Sequence, residues 1–147
     1  MASLPEKVRV ELDNITLVLD ELRNTVNKPD KSIAELAGIG AFLNNFYTGV
    51  ENILKQLFAE KKIAIPGSGS WHKELLEQAV KNQILTETTK SKLGKFLVFR
   101  HFFIHGYSFM IDEEEIKPLA HLAPEVFSDF RNEIQRHMLI GEGTQSK

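Results

Sequence analysis

Apolar residues recur along most of this chain at steps of three and four, the spacing of one face of an α-helix. From Leu4 to Val26 the stripe is Val8, Leu12, Ile15, Leu19, Leu22 and Val26, with Pro5 acceptable in a first helical turn. Asn27-Lys28-Pro29-Asp30 breaks it. Ser32 and Glu35 then form a capping-box pattern that opens a longer helix, striped by Leu36, Ile39, Leu43, Phe46 or Tyr47, Val50, Ile53 or Leu54, and Leu57. Gly38, Gly40 and Gly49 weaken that helix and are expected where neighbouring helices approach closely. Pro66-Gly67-Ser68-Gly69 marks a loop, and Ser70 is expected to cap a short third helix from Trp71 to about Lys81, with Leu75, Leu76 and Ala79 inward.

Thr86 is expected to cap a fourth helix running from Glu87 to about His105, with Leu93, Phe96, Leu97, Arg100, Phe103 and Ile104 on one broad face. Asp112 to Leu122 reads as a short helix with an acidic start. Pro124 then begins a last helix, with Val126 or Phe127, Phe130, Ile134 and Met138 inside. No segment alternates apolar and polar residues between turn signals as a set of strands would. The expected fold is all-α: an antiparallel bundle of four long helices plus short ones, spanning residues 1–140, followed by a flexible tail, 141–147.

Composition changes this picture little. Hydrophobic residues make up 42% and charged residues 26%, ordinary for a globular domain. The absence of cysteine excludes disulfides and thiolate metal sites. No apolar run long enough to span a bilayer or to serve as a secretion signal is present, so no membrane association and a cytoplasmic location are expected. A net charge of −2 argues against a broadly basic nucleic-acid binder. Its distribution is uneven, however. Between Thr88 and Ile111 there is no acidic residue, while Lys90, Lys92, Lys95, Arg100, His101 and His105 all fall there. That strip either holds an RNA backbone or is the solvated face of a helix.

The densest chemistry lies at Arg100-His101-Phe102-Phe103-Ile104-His105-Gly106-Tyr107. A guanidinium offers a planar fork to a phosphate, and imidazole exchanges protons near neutral pH, so the pair suffices for phosphodiester cleavage without a metal. On a continuous helix Arg100 and His105 would stand about 140° apart. Gly106 relieves the constraint if it ends the helix in a left-handed cap, and a second subunit could also bridge the gap. Two other readings stand beside this one. His101 and His105, four apart, have metal-ligand spacing, with a third ligand to come from His72, His121 or His137. Those three histidines also suit plain structural roles, and Arg100 suits pairing with a buried Glu51. Phe96, Phe99, Phe102, Phe103 and Phe109 suit core or subunit contacts.

Arg100-x-x-x-x-His105-x-Tyr107 resembles the R-x4-H-x-Y signature of the HEPN superfamily, specifically the HepT-type ribonuclease toxins, with His101 in the slot where that family often carries a polar residue. Phe46 to Lys55 resembles the family's long second helix, and Ser70 to Leu76 the short helix before the motif. The resemblance implies an antiparallel HEPN bundle that forms a homodimer whose two motifs share a cleft. It implies the toxin of a type VII-like toxin–antitoxin pair, cleaving cellular RNA as a metal-independent endoribonuclease without a cofactor. Arg100 and His105 would be catalytic and His101 accessory. The partner would be a minimal nucleotidyltransferase (MNT-type) antitoxin that AMPylates Tyr107. The alternative is a non-catalytic, substrate-binding subunit of such a nucleotidyltransferase.

Overall fold

A computed structural model describes residues 3–107 and 111–145, with the backbone alone for Tyr107 and 139–145. Five helices follow one another: α1 Leu4–Val26, α2 Ile33–Glu60, α3 Trp71–Lys81, α4 Glu87–Phe102 and α5 Glu113–Gln145. A single π turn, Phe103–Tyr107, extends α4. The architecture is the expected all-helical bundle, with no strand among the described residues.

Most helix starts are set by the residues that predict them. Ser32 accepts from the Glu35 amide while the Glu35 carboxylate accepts from the Ser32 amide, both orphan donors being satisfied reciprocally. Thr86 accepts from the Thr89 amide at the head of α4. Ser70 departs from expectation. It occupies the cap position of α3, but its hydroxyl, like that of Ser68, donates to the Glu74 carboxylate instead of accepting from the helix.

Neighbouring helices run antiparallel. Gly49 on α2 lies against Ile15 on α1, where an added Cβ would come within 2.7 Å of Cγ1. Thr86 and Lys92 on α4 meet Glu133 and Asp129 on α5, in reversed order. The centre of the bundle is aromatic: Phe46 meets Phe96 edge-on at 5.1 Å and Phe127 at 6.4 Å. The predicted stripes supply the core, including all six named positions of α1, of which Leu12 is only partly buried. Leu93 and Phe96 of α4 are buried as expected and Phe99 joins them, whereas Ile104, expected on the same face, stays 48% exposed in the π turn.

The C-terminal third differs from expectation. The two helices expected there form one, because the buried positions Ile116, Ala120, Ala123, Val126, Phe130 and Ile134 continue in a single stripe through the proposed break. Pro118 and Pro124 lie within this helix on its exposed side. Each removes one backbone hydrogen bond, and uninterrupted burial on the opposite side offsets that loss. Residues 141–145, assigned above to a tail, lie in the last turns of α5.

At the other end of α4 the bundle is pinned by Lys31. Its side chain, only 4% exposed, donates to Glu113 at 2.9 Å and to the Lys28 carbonyl at 2.8 Å, tying the α1–α2 loop to the head of α5.

Candidate active site

The helix carrying Arg100 and His101 ends as its sequence suggests. Gly106 has φ +89° and ψ 12°, the left-handed conformation that glycine adopts without a side-chain clash. The chain widens into the π turn just before it, and His105 sits there at φ −92°, ψ 24°, off helical geometry. Such single π turns recur at functional sites. Phe103 anchors the turn by stacking on Phe99 at 5.9 Å and lying over Gly40 of α2. A Cβ at Gly40 would come within 2.7 Å of the Phe103 ring and 2.8 Å of Ile111, so this glycine makes a seat for both. Gly38, expected to play the same part, has nothing within 4 Å.

His105 is exposed, and its Nδ1 lies 2.7 Å from the His101 carbonyl oxygen. A carbonyl only accepts, so Nδ1 carries the proton and donates. In its neutral form the ring presents a bare Nε2 able to act as a base. The His101 ring lies beside it, centroids 4.1 Å apart. Among the described residues no group of three or more possible ligands is gathered. Of the candidates for a third ligand, His72 is engaged elsewhere and His137 lies 3.2 Å from the Gln83 carbonyl.

Arg100 faces the other way, into the packing of α4 on α2 and α3. Its Nη1 lies 3.5 Å from His72 Nε2, and His72 Nδ1 lies 2.6 Å from Glu51 Oε2. The carboxylate only accepts, so His72 Nδ1 carries a proton and donates to it, and Nε2 is the ring atom that faces the guanidinium. Arg100 and Glu51, suited in sequence to a direct pairing, do not make one; His72 stands between them. Glu51 is 2% exposed, and Trp71 stacks against the His72 ring at 3.6 Å with Lys55 Nζ 4.1 Å over the indole. Tyr47 completes the cluster from α2. Burial, with the Glu51 charge second, pushes its hydroxyl far above the ordinary tyrosine range, so it stays protonated. No hydrogen bond joins Arg100 to His105 among the described residues.

The lysine strip divides. Lys92 is held between Glu125 at 3.1 Å and Asp129 at 3.0 Å, and Lys90 pairs with Glu87 at 3.4 Å. Lys95 is exposed, on the same stretch as Val98 and His101. The side chain of Tyr107 lies outside the described residues, as does Phe109. From sequence, His72 suits only a metal site or a structural role, and its contact with Arg100 is missed. Its only local signal is its place beside Trp71 at a helix start, and its partners are 21 and 28 positions away.

An all-helical bundle whose fourth helix ends in this arginine–histidine turn defines a HEPN-type protein. The chain belongs to the HepT-like family: a family model described as "HepT-like protein" matches residues 38–140, from α2 into the end of α5. No curated protein and no solved structure matches it.

Proposed function

We propose that this protein is the ribonuclease toxin of a toxin–antitoxin pair, cleaving RNA without a metal. The observation that carries the reading is the turn at Gly106, which leaves His105 exposed with Nδ1 committed and Nε2 bare five residues beyond Arg100. In this reading Nε2 takes the proton from a ribose 2′-hydroxyl. The 2′-oxygen attacks the adjacent phosphorus, and the 5′-oxygen leaves with a proton from a general acid. Arg100 stabilises the charge that gathers on the phosphate oxygens. His101, whose carbonyl fixes the His105 tautomer, is accessory. Of the three lysines, Lys95 suits a phosphate contact best, since Lys90 and Lys92 are already paired. Arg100 and His105 are not joined within one chain, so two copies facing each other across a shared cleft would complete the site.

The test is RNA cleavage by purified protein with and without EDTA. Cleavage is expected to survive EDTA, to fall at least ~100-fold in His105→Ala, the scale of general acid–base catalysis, and to be lost in Arg100→Ala. Cleavage abolished by EDTA would return the metal reading of His101 and His105. We further propose, from the motif's resemblance alone, a nucleotidyltransferase antitoxin as partner, inactivating the toxin by AMPylation of Tyr107. A phosphate-linked group there would add negative charge and bulk beside the site. Mass spectrometry after incubation with the antitoxin and ATP should place the adenylate on Tyr107 and on no other residue.

A second reading has its own observation. The half-buried Arg100, tied to His72 and through it to Glu51, is also what a purely structural arginine would do. The protein would then be the non-catalytic subunit of the nucleotidyltransferase, and wild-type protein would leave RNA intact.

A further inference from the structure

Arg100 is the only guanidinium in the motif, yet its own helix supplies nothing to aim it. Its Nε is buried without a hydrogen-bond partner, and its Nη1 meets an imidazole from another helix. We propose that His72 is a positioning residue for Arg100, fixed by Glu51 and presenting Nε2 as the acceptor that sets where the guanidinium sits. The proposal rests on the ribonuclease reading above.

The chain of contacts has one polarity. Glu51, nearly devoid of exposed surface, can only accept, so it fixes the proton on His72 Nδ1. In the neutral ring that leaves Nε2 as a lone pair, the one form able to accept from Arg100 Nη1. Trp71 packs against the ring and, under Lys55, limits its rotation. A ring held by a carboxylate on its edge and an indole on its face is suited to orient a further group. A flexible arginine left to itself samples many rotamers, and loss of position by about 1 Å can cost on the order of 100-fold in rate.

Substitutions can separate the two halves of this device. His72→Asn keeps a donor near the Nδ1 position for Glu51 but has no acceptor for Arg100. His72→Gln extends an amide oxygen to the Nε2 position and restores that acceptor. His72→Ala alone would be ambiguous, because it strands the buried Glu51 carboxylate and lowers stability. The experiment measures kcat and KM for RNA cleavage in wild type, Arg100→Ala, His72→Asn and His72→Gln, with thermal unfolding of each. It adds ¹⁵N NMR of the His72 ring in the wild type.

Expected are loss of cleavage in Arg100→Ala, a fall of about 10- to 100-fold in kcat for His72→Asn with its folding intact, and recovery of most of that loss in His72→Gln. The NMR spectrum should show the Nδ1–H tautomer. If Arg100→Ala is inactive while His72→Asn cleaves like wild type, the positioning role is overturned and the ribonuclease reading survives. Equal losses in His72→Asn and His72→Gln that track their unfolding temperatures overturn it too, as does an Nε2–H tautomer. If wild type does not cleave, or Arg100→Ala cleaves as well as wild type, the ribonuclease reading falls and takes the positioning role with it.

Discussion

At the scale of single residues, tautomers decide the chemistry. His105 and His72 both carry their proton on Nδ1, but for different reasons and with different consequences. In His105 a backbone carbonyl four residues earlier fixes the proton and frees Nε2 toward solvent; in His72 a buried carboxylate fixes it and turns Nε2 toward Arg100. The first arrangement is local, and a histidine followed by glycine at a helix end makes it readable from sequence. The second joins three helices, and nothing near His72 in the chain announces it. A third histidine gives a pH prediction. Burial, with the positive charge of Lys61 second, holds His137 below its ordinary value of 6.5. Above that value the ring is neutral folded or unfolded, and the full stability is present. As pH falls through it, the unfolded chain takes up a proton that the folded ring resists, so stability drops. Between about pH 7 and about pH 5, thermal unfolding of His137→Gln should change less than that of wild type. Parallel curves would remove His137 as the cause.

At the scale of helices, a glycine's meaning depends on what faces it. Gly38 and Gly40 stand two apart on α2 and look alike in the sequence, but only Gly40 has Phe103 and Ile111 against its backbone. Gly38→Ala should raise stability by up to about 1 kcal/mol, the helix-propensity difference between the two residues. Gly40→Ala should instead lower it by about 1–3 kcal/mol, since the new methyl displaces packed side chains. Chemical denaturation of both variants checks the contrast, and equal effects would refute it. The same dependence on partners explains where element boundaries were legible. The starts of α2 and α4 were, because their caps are made by neighbours in sequence. The unity of α5 was harder to see, since two prolines are strong local signals and the compensating burial comes from distant helices. At Ser70 the residue type fitted a cap, but Glu74 captured the hydroxyl.

At the scale of the whole molecule, the bundle was readable because its core is one continuous set of helical stripes. What the stripes do not account for is the outer side of α4. Val98 is 71% exposed and Ile104 48%, both on the stretch that carries His101 and His105. These side chains fit the proposed seam between two copies, which would bring a second motif opposite the first. Light scattering at micromolar concentration should then give a dimer mass, and Val98→Glu should shift it toward the monomer while leaving the fold intact. A wild-type monomer would count against the shared cleft. The seat on α2 bears on how such a protein could be silenced. Phe103 and Ile111 both rest over Gly40, so the chain departs from α2 and returns to it at one point. In sequence, Tyr107 stands midway between Phe103 and Ile111. In the proposed function, a group attached there is borne by the turn that extends α4 rather than by the helices of the bundle. If the protein is the toxin proposed above, it could be burdened or relieved of that cargo while the bundle beneath it stays as it was.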